Sequence, residues 1–188
     1  MFDLDAFIED CRGAVGAPDG ARRVLGLMRE AMRDPEALKA AITPLEGKVG
    51  ALDAPLFRSD DLVVLNVTLR PGILTIPHDH AMWAVIGIYE GQENNTFYRR
   101  AGPRLEEANR REVTAGEAML LGADVIHAIE NPLTVPTLGL HVYGGDLLAA
   151  PRRMWNPHSG EEAPYDIPQF YQWGKELAQK RRAAQPAA

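Results

Sequence analysis

One cysteine, Cys11, stands in a chain of 188 residues, so neither an internal disulfide nor a cysteine-based zinc cluster can form. Basic residues are also in short supply. Lys and Arg number 20 against 26 Asp and Glu, a net charge of −6, which opposes non-specific binding to nucleic acid or to an anionic membrane. No apolar run approaches the roughly 20 residues needed to cross a bilayer. The N-terminal MFDLDAFIEDCRG carries acids where a signal peptide carries basic residues, and it lacks an apolar core. The expectation is a cytoplasmic protein with no membrane or nucleic-acid partner. No repeat at solenoid spacing and no low-complexity linker interrupts the chain. Its length and 46% apolar content suit one domain, residues 1–188, with a sizeable core.

Within that domain the hydrophobic period changes twice. Residues 1–45 form a helical region: LDAFIEDCRGAV and GARRVLGLMREAM space apolar residues by three and four. DPEALKAAI then offers Asp34 as N-cap, Pro35 at the first helical position and Glu36 in the first turn. On such an amphipathic helix Cys11 reads as a small packing residue. From 55 to 150 the pattern becomes short runs rich in Val, Ile, Leu, Thr and Tyr between turn residues. Examples are DLVVLNVTLRPG, AVIGIYEGQ, NTFYRRAG, EVTAGEAMLLGAD and TLGLHVYGGDL. With no helical segments between them, these favour an antiparallel barrel or sandwich. Residues 165–183 read as a C-terminal helix with a solvated basic end.

There are five histidines. His78 and His80 follow RPGILTIP, and residues two apart on a strand share a face, where two buried imidazoles need a use for their nitrogens. A divalent metal supplies one; a solvent-exposed His-Asp-His turn is the alternative. His127 ends an apolar run after a glycine turn. His141 lies in TLGLHVYGG with Tyr143 on the same face. His158, in NPHSGEEAP, reads as surface.

G-x5-HDH at 72–80 and G-x10-H-x3-N from Gly116 through His127 to Asn131 resemble the two motifs of the cupins, metal-holding double-stranded β-helix barrels. The resemblance covers residues 55–145. With the helical N-terminal region and the LHVY strand, the chain is most similar to the cysteine dioxygenase branch, the thiol dioxygenases. The usual cupin glutamate after the second histidine is missing, since AMWAVIG runs on with no carboxylate until Glu90. That absence also resembles the thiol dioxygenases, whose iron is held by three histidines. Before the last ligand, Gly122 and Asp124 replace the family's Pro and Gly but keep turn-forming residues there.

The resemblance implies a mainly β cupin barrel with helices at both ends, binding one Fe2+ per chain through His78, His80 and His127. It places His141 and Tyr143 beside the iron as catalytic residues, with Gly139 where the family has a serine, so that His141 needs another partner or a water. Val85 stands where animal-type enzymes carry the cysteine that crosslinks to the tyrosine, so that crosslink cannot form. Arg58 falls at the family's carboxylate-binding arginine and is otherwise a strand-end arginine on the surface; Arg70 is a weaker candidate. Met82, Trp83 and Tyr89 line the pocket mouth or else belong to the core. The implied reaction is oxidation of a small thiol, cysteine- or mercaptocarboxylate-like, to a sulfinate with O2, in a monomer or homodimer. The alternatives are a three-histidine iron dioxygenase cleaving a C–C bond of a diketone-like substrate, and a non-catalytic cupin that binds a small molecule. Imidazole ligation alone does not choose the metal.

Overall fold

Three helices open the chain: α1 (Leu4–Val15), α2 (Gly20–Ala31) and α3 (Pro35–Ile42). Aspartates start the first and third, as Oδ1 of Asp3 and of Asp34 each accept a hydrogen bond from the backbone N–H three residues on, at 3.0 Å. The computed structural model describes residues 1–43, 55–102 and 104–184. The last two positions of the expected N-terminal helical region, 44 and 45, lie outside the described residues.

Ten strands follow: β1 (Phe57–Arg58), β2 (Val63–Leu69), β3 (Ala84–Glu90), β4 (Gln92–Ala101), β5 (Arg104–Thr114), β6 (Glu117–Leu121), β7 (Ile126–Glu130), β8 (Thr137–Tyr143), β9 (Arg153–Trp155) and β10 (Glu162–Pro164), before the C-terminal helix α4 (Ile167–Ala184). They pair antiparallel as β1-β2-β8-β3-β6 in one sheet and β5-β4-β7 in a second, with β9 and β10 as a separate hairpin. The free side of β7 is taken by the irregular segment 74–78. There Leu74 bridges Glu130 and His78 bridges His127, with N···O distances of 2.9 and 3.0 Å between the two histidines. With segment 74–78 included, the two four-stranded layers therefore run β2-β8-β3-β6 and 74–78-β7-β4-β5. That is a double-stranded β-helix, mainly β with helices at both ends.

The five-stranded sheet is covered on both faces, which explains why every residue of β8 is buried. Leu138, Leu140 and Val142 of β8, with Val64 and Val85, face the helices and pack with Val24, Met28 and Leu38. The glycine at 87 belongs to this contact, because a Cβ there would lie 2.6 Å from the Met28 sulfur. The alternate residues, among them Val63, Leu65, Ile86 and Tyr143, face the barrel interior. Cys11 is fully buried in the helical layer and its thiol is pushed up to about 12, mainly by burial, which fits its reading as a packing residue.

β5 gave no period-two signal. Six of the eleven residues in RLEEANRREVT are charged because it is an edge strand exposed on both faces, and such charge blocks edge-to-edge pairing.

Candidate metal centre

The first two candidate ligands do not lie in a named strand. His78 is pinned by its bridges to His127 and Met154, and the chain turns sharply directly after His80, where Ala81 adopts a φ of 57°. A non-glycine residue in that region is strained. Its place here aims His80 back into the barrel between β7 and β8. His127 enters from β7.

The three side chains converge. His78, His80 and His127 each offer a nitrogen within 4.8 Å of the others'. The far nitrogens of two rings are already committed: Nδ1 of His78 donates to the Ile76 carbonyl at 3.1 Å, and Nδ1 of His127 donates to Asn95 Oδ1 at 2.8 Å. These acceptors fix the tautomer and leave each Nε2 with a bare lone pair. Nε2 of His80 and Nε2 of His127 then stand 3.4 Å apart. Two ligand nitrogens bound at about 2.1 Å to one tetrahedral ion would be roughly that far apart. Burial holds all three rings neutral, His78 at about 4 and the other two well below the usual imidazole value. Buried, neutral, convergent nitrogens fit a divalent cation.

Around them lies a cavity of about 130 Å³ lined by the three histidines with Glu93, His141 and Tyr143. Nδ1 of His141 and the Tyr143 hydroxyl are 3.2 Å apart, and the Tyr143 ring meets His80 edge-on with ring centres 5.1 Å apart. The structure thus brings together all five residues expected at the metal centre.

Arg58 is not among them. On the surface, its Nε and Nη2 donate to both carboxylate oxygens of Asp146 at 2.8 to 3.2 Å. The salt bridge uses the Nε and Nη2 edge of the guanidinium at the surface, and Arg58 does not line the cavity. Arg70 lines an outer groove of about 820 Å³ that shares Leu65, Val67, Phe170 and Tyr171 with the cavity. Met82 and Tyr89 are buried in the two cores, Trp83 packs on the helical one, and Val85 faces the helices. None of these four lines the cavity. His158 is exposed and pairs with Glu176 at 2.9 Å.

Two charged cavity residues escaped the sequence reading. Arg152 follows β8 in what reads as a loop, yet it is 7% exposed and lines the cavity. Its guanidinium stacks over the Tyr165 ring, 3.8 Å from the ring centre, and no carboxylate among the described residues pairs with it. Glu93 is fully buried on β4, in the all-polar stretch QENN, where no apolar alternation marks the inward face.

No family model matches the chain. Among solved structures it is similar to a conserved protein with a double-stranded β-helix domain from Klebsiella pneumoniae, at 14% identity over 58% of this chain and 92% of that one, with a TM-score of 0.44. A cupin superfamily protein from Desulfitobacterium hafniense shares 16% identity over 49% of this chain and 74% of that one, TM-score 0.41. Oxalate decarboxylase from Bacillus subtilis shares 22% identity over 47% of this chain but only 22% of its own, TM-score 0.39. No helix among the described residues is long and apolar enough to cross a membrane.

Proposed function

We propose that this chain is an Fe2+-dependent dioxygenase that oxidises a small thiol bearing a carboxylate to the sulfinate with O2. The observation that carries the reading is Arg152, a buried guanidinium facing a three-histidine cavity with no carboxylate among the described residues to neutralise it. A buried cation without a counter-ion is costly, so an anionic ligand is the natural partner. His78, His80 and His127 would hold the iron. Three neutral imidazoles leave its +2 charge intact, and it supplies the affinity for a thiolate and the chemistry of O2.

The chain's own residues do the rest. Arg152 anchors the carboxylate, and the Tyr165 ring beneath the guanidinium keeps it aimed. Leu65, Val67 and Ile86 form a dry wall that excludes water from the thiol. Tyr143 presents its hydroxyl to the ligand from the other side, oriented by His141. A cavity of about 130 Å³ suits a cysteine- or mercaptocarboxylate-sized molecule. The wider outer groove favours a second reading, C–C cleavage of a bulkier diketone-like substrate at the same centre.

Elemental analysis followed by O2-electrode screening tests this. Iron and O2 uptake with 3-mercaptopropionate or cysteine is expected. Arg152→Ala should raise KM for those thiols by ~10–100-fold, the worth of a charged hydrogen bond, and leave carboxylate-free cysteamine unaffected. Uptake with diketones alone would select the second reading. Tight binding without uptake would make the chain a small-molecule-binding module.

A further inference from the structure

Two buried polar atoms in the barrel lack a hydrogen-bond partner among the described residues and face each other. Oε2 of Glu93 and Nε2 of His141 have no hydrogen bond, and they lie 3.9 Å apart. Both residues are almost completely buried, 0% and 3% exposed. Orphans of this kind are rare in folded proteins because each leaves its desolvation uncompensated. A small side-chain rotation joins these two.

We infer that Glu93 is a positioning residue: its carboxylate accepts Nε2–H of His141, fixes that tautomer, and so sets the direction of the Tyr143 hydroxyl. This rests on placing Tyr143 beside the proposed metal ligands, and not on thiol oxidation. The chain of contacts is complete on both sides of Glu93. Its Oε1 accepts from Asn95 Nδ2 at 2.9 Å, and Asn95 Oδ1 accepts from Nδ1 of the ligand His127 at 2.8 Å. On the other side, Nε2–H on His141 leaves Nδ1 as an acceptor, and Nδ1 is the atom 3.2 Å from the Tyr143 oxygen. The phenol therefore donates to His141 and turns its lone pairs to the cavity. One carboxylate thus orients a metal ligand through Asn95 and the cavity's phenol through His141.

The missing side chain at position 139 opens the path. A Cβ on Gly139 would stand 2.9 Å from Nε2 of His141, in the approach that Glu93 uses. Burial raises the Glu93 carboxyl to about 7, so the carboxylate form predominates above that pH.

The test is the ¹⁵N–¹H correlation of the His141 ring in the full chain loaded with Zn2+, which is diamagnetic, at pH 8. The wild type should carry its hydrogen on Nε2. In Glu93→Gln the amide oxygen must still accept from Asn95, so the amide nitrogen faces His141 and donates to Nε2, and the ring hydrogen should move to Nδ1. Hydrogen on Nδ1 in the wild type would overturn the inference by itself, whether or not the variant folds. The same tautomer in both proteins would overturn it too. Neither result depends on O2 uptake, so a failure here is distinguishable from failure of the proposed activity.

Discussion

Along β8 one backbone serves two masters. Leu138, Leu140 and Val142 point to the helices, while Gly139, His141 and Tyr143 point into the barrel. On the outer face only volume and apolarity matter, and any well-fitting hydrophobic side chain would serve. On the inner face the position of a lone pair or a single hydrogen decides what the side chain does. Stability and chemistry are thus separated by the pleat of the strand, and substitutions on the two faces should fail in different ways.

The sharpest break is expected at His127. Replacing it by Ala removes one of three convergent nitrogens and the acceptor geometry that Asn95 maintains. Metal content measured by elemental analysis should fall to background while far-ultraviolet circular dichroism stays native. Full metal retention would show that the centre does not need β7.

Next is Tyr143→Phe, which deletes one oxygen from the inner face. Turnover should drop by roughly 10²–10⁴-fold, the usual worth of an acid–base or orienting group. Metal content should hold. Unchanged turnover would return Tyr143 to a packing role and erase the distinction between the faces at that position.

The mirror-image experiment is Leu140→Ala on the outer face. Leu140 is fully buried against the helical layer, so urea denaturation should show a loss of about 2–5 kcal/mol. Activity per folded molecule should be that of the wild type. A selective loss of activity would mean that the helices transmit strain to the site.

The separation between faces also has a pH signature. Burial holds His78 at about 4 and His141 at about 3, below the unfolded value near 6.5. The unfolded chain therefore takes up these protons first, and their stabilisation is complete above about 6.5 and lost as pH falls toward 4. Glu93, raised to about 7, works the other way between its ordinary 4.5 and 7. His80 and His127, also held well below the usual imidazole value by burial, act in the same direction, so four histidines outweigh one glutamate. The metal-free chain should lose stability on acidification across this window, by more than ~1.4 kcal/mol per pH unit. In a His141→Phe variant the slope should flatten, and an unaltered slope would count against burial as the cause.

How much of this the sequence discloses depends on whether the signal is local. The barrel, the end helices and the three convergent histidines come from short-range patterns: apolar period, turn residues and two histidine motifs. Arg152 and Glu93 carry no such mark. Arginine in a loop reads as surface, and Arg152 is buried only because segments distant in sequence, with Tyr165 and Phe170, close over it. Glu93 lies in QENNTFY, where a buried acid cannot be told from an exposed one until β4 is paired with β7 and set against β8.

The smallest expected effect separates the two arginines. Sequence position favours Arg58 as the carboxylate anchor, and burial favours Arg152. Arg58 is half exposed and already spans both oxygens of Asp146. Asp146 in turn does not depend on it, because its carboxylate also accepts the backbone N–H of Leu148 at 3.1 Å. Exposed ion pairs contribute little to stability, since water solvates both charges when the pair is broken. Arg58→Ala should therefore leave KM for a carboxylate-bearing thiol unchanged, with no loss of metal and little change in denaturation midpoint. Arg152→Ala has no such cushion, since its guanidinium meets the cavity and no carboxylate among the described residues. Steady-state kinetics on the two variants side by side reads the difference. A rise in KM confined to Arg58→Ala would place the anion site at the surface end of β1 and remove the argument for a carboxylate bound beside the histidines.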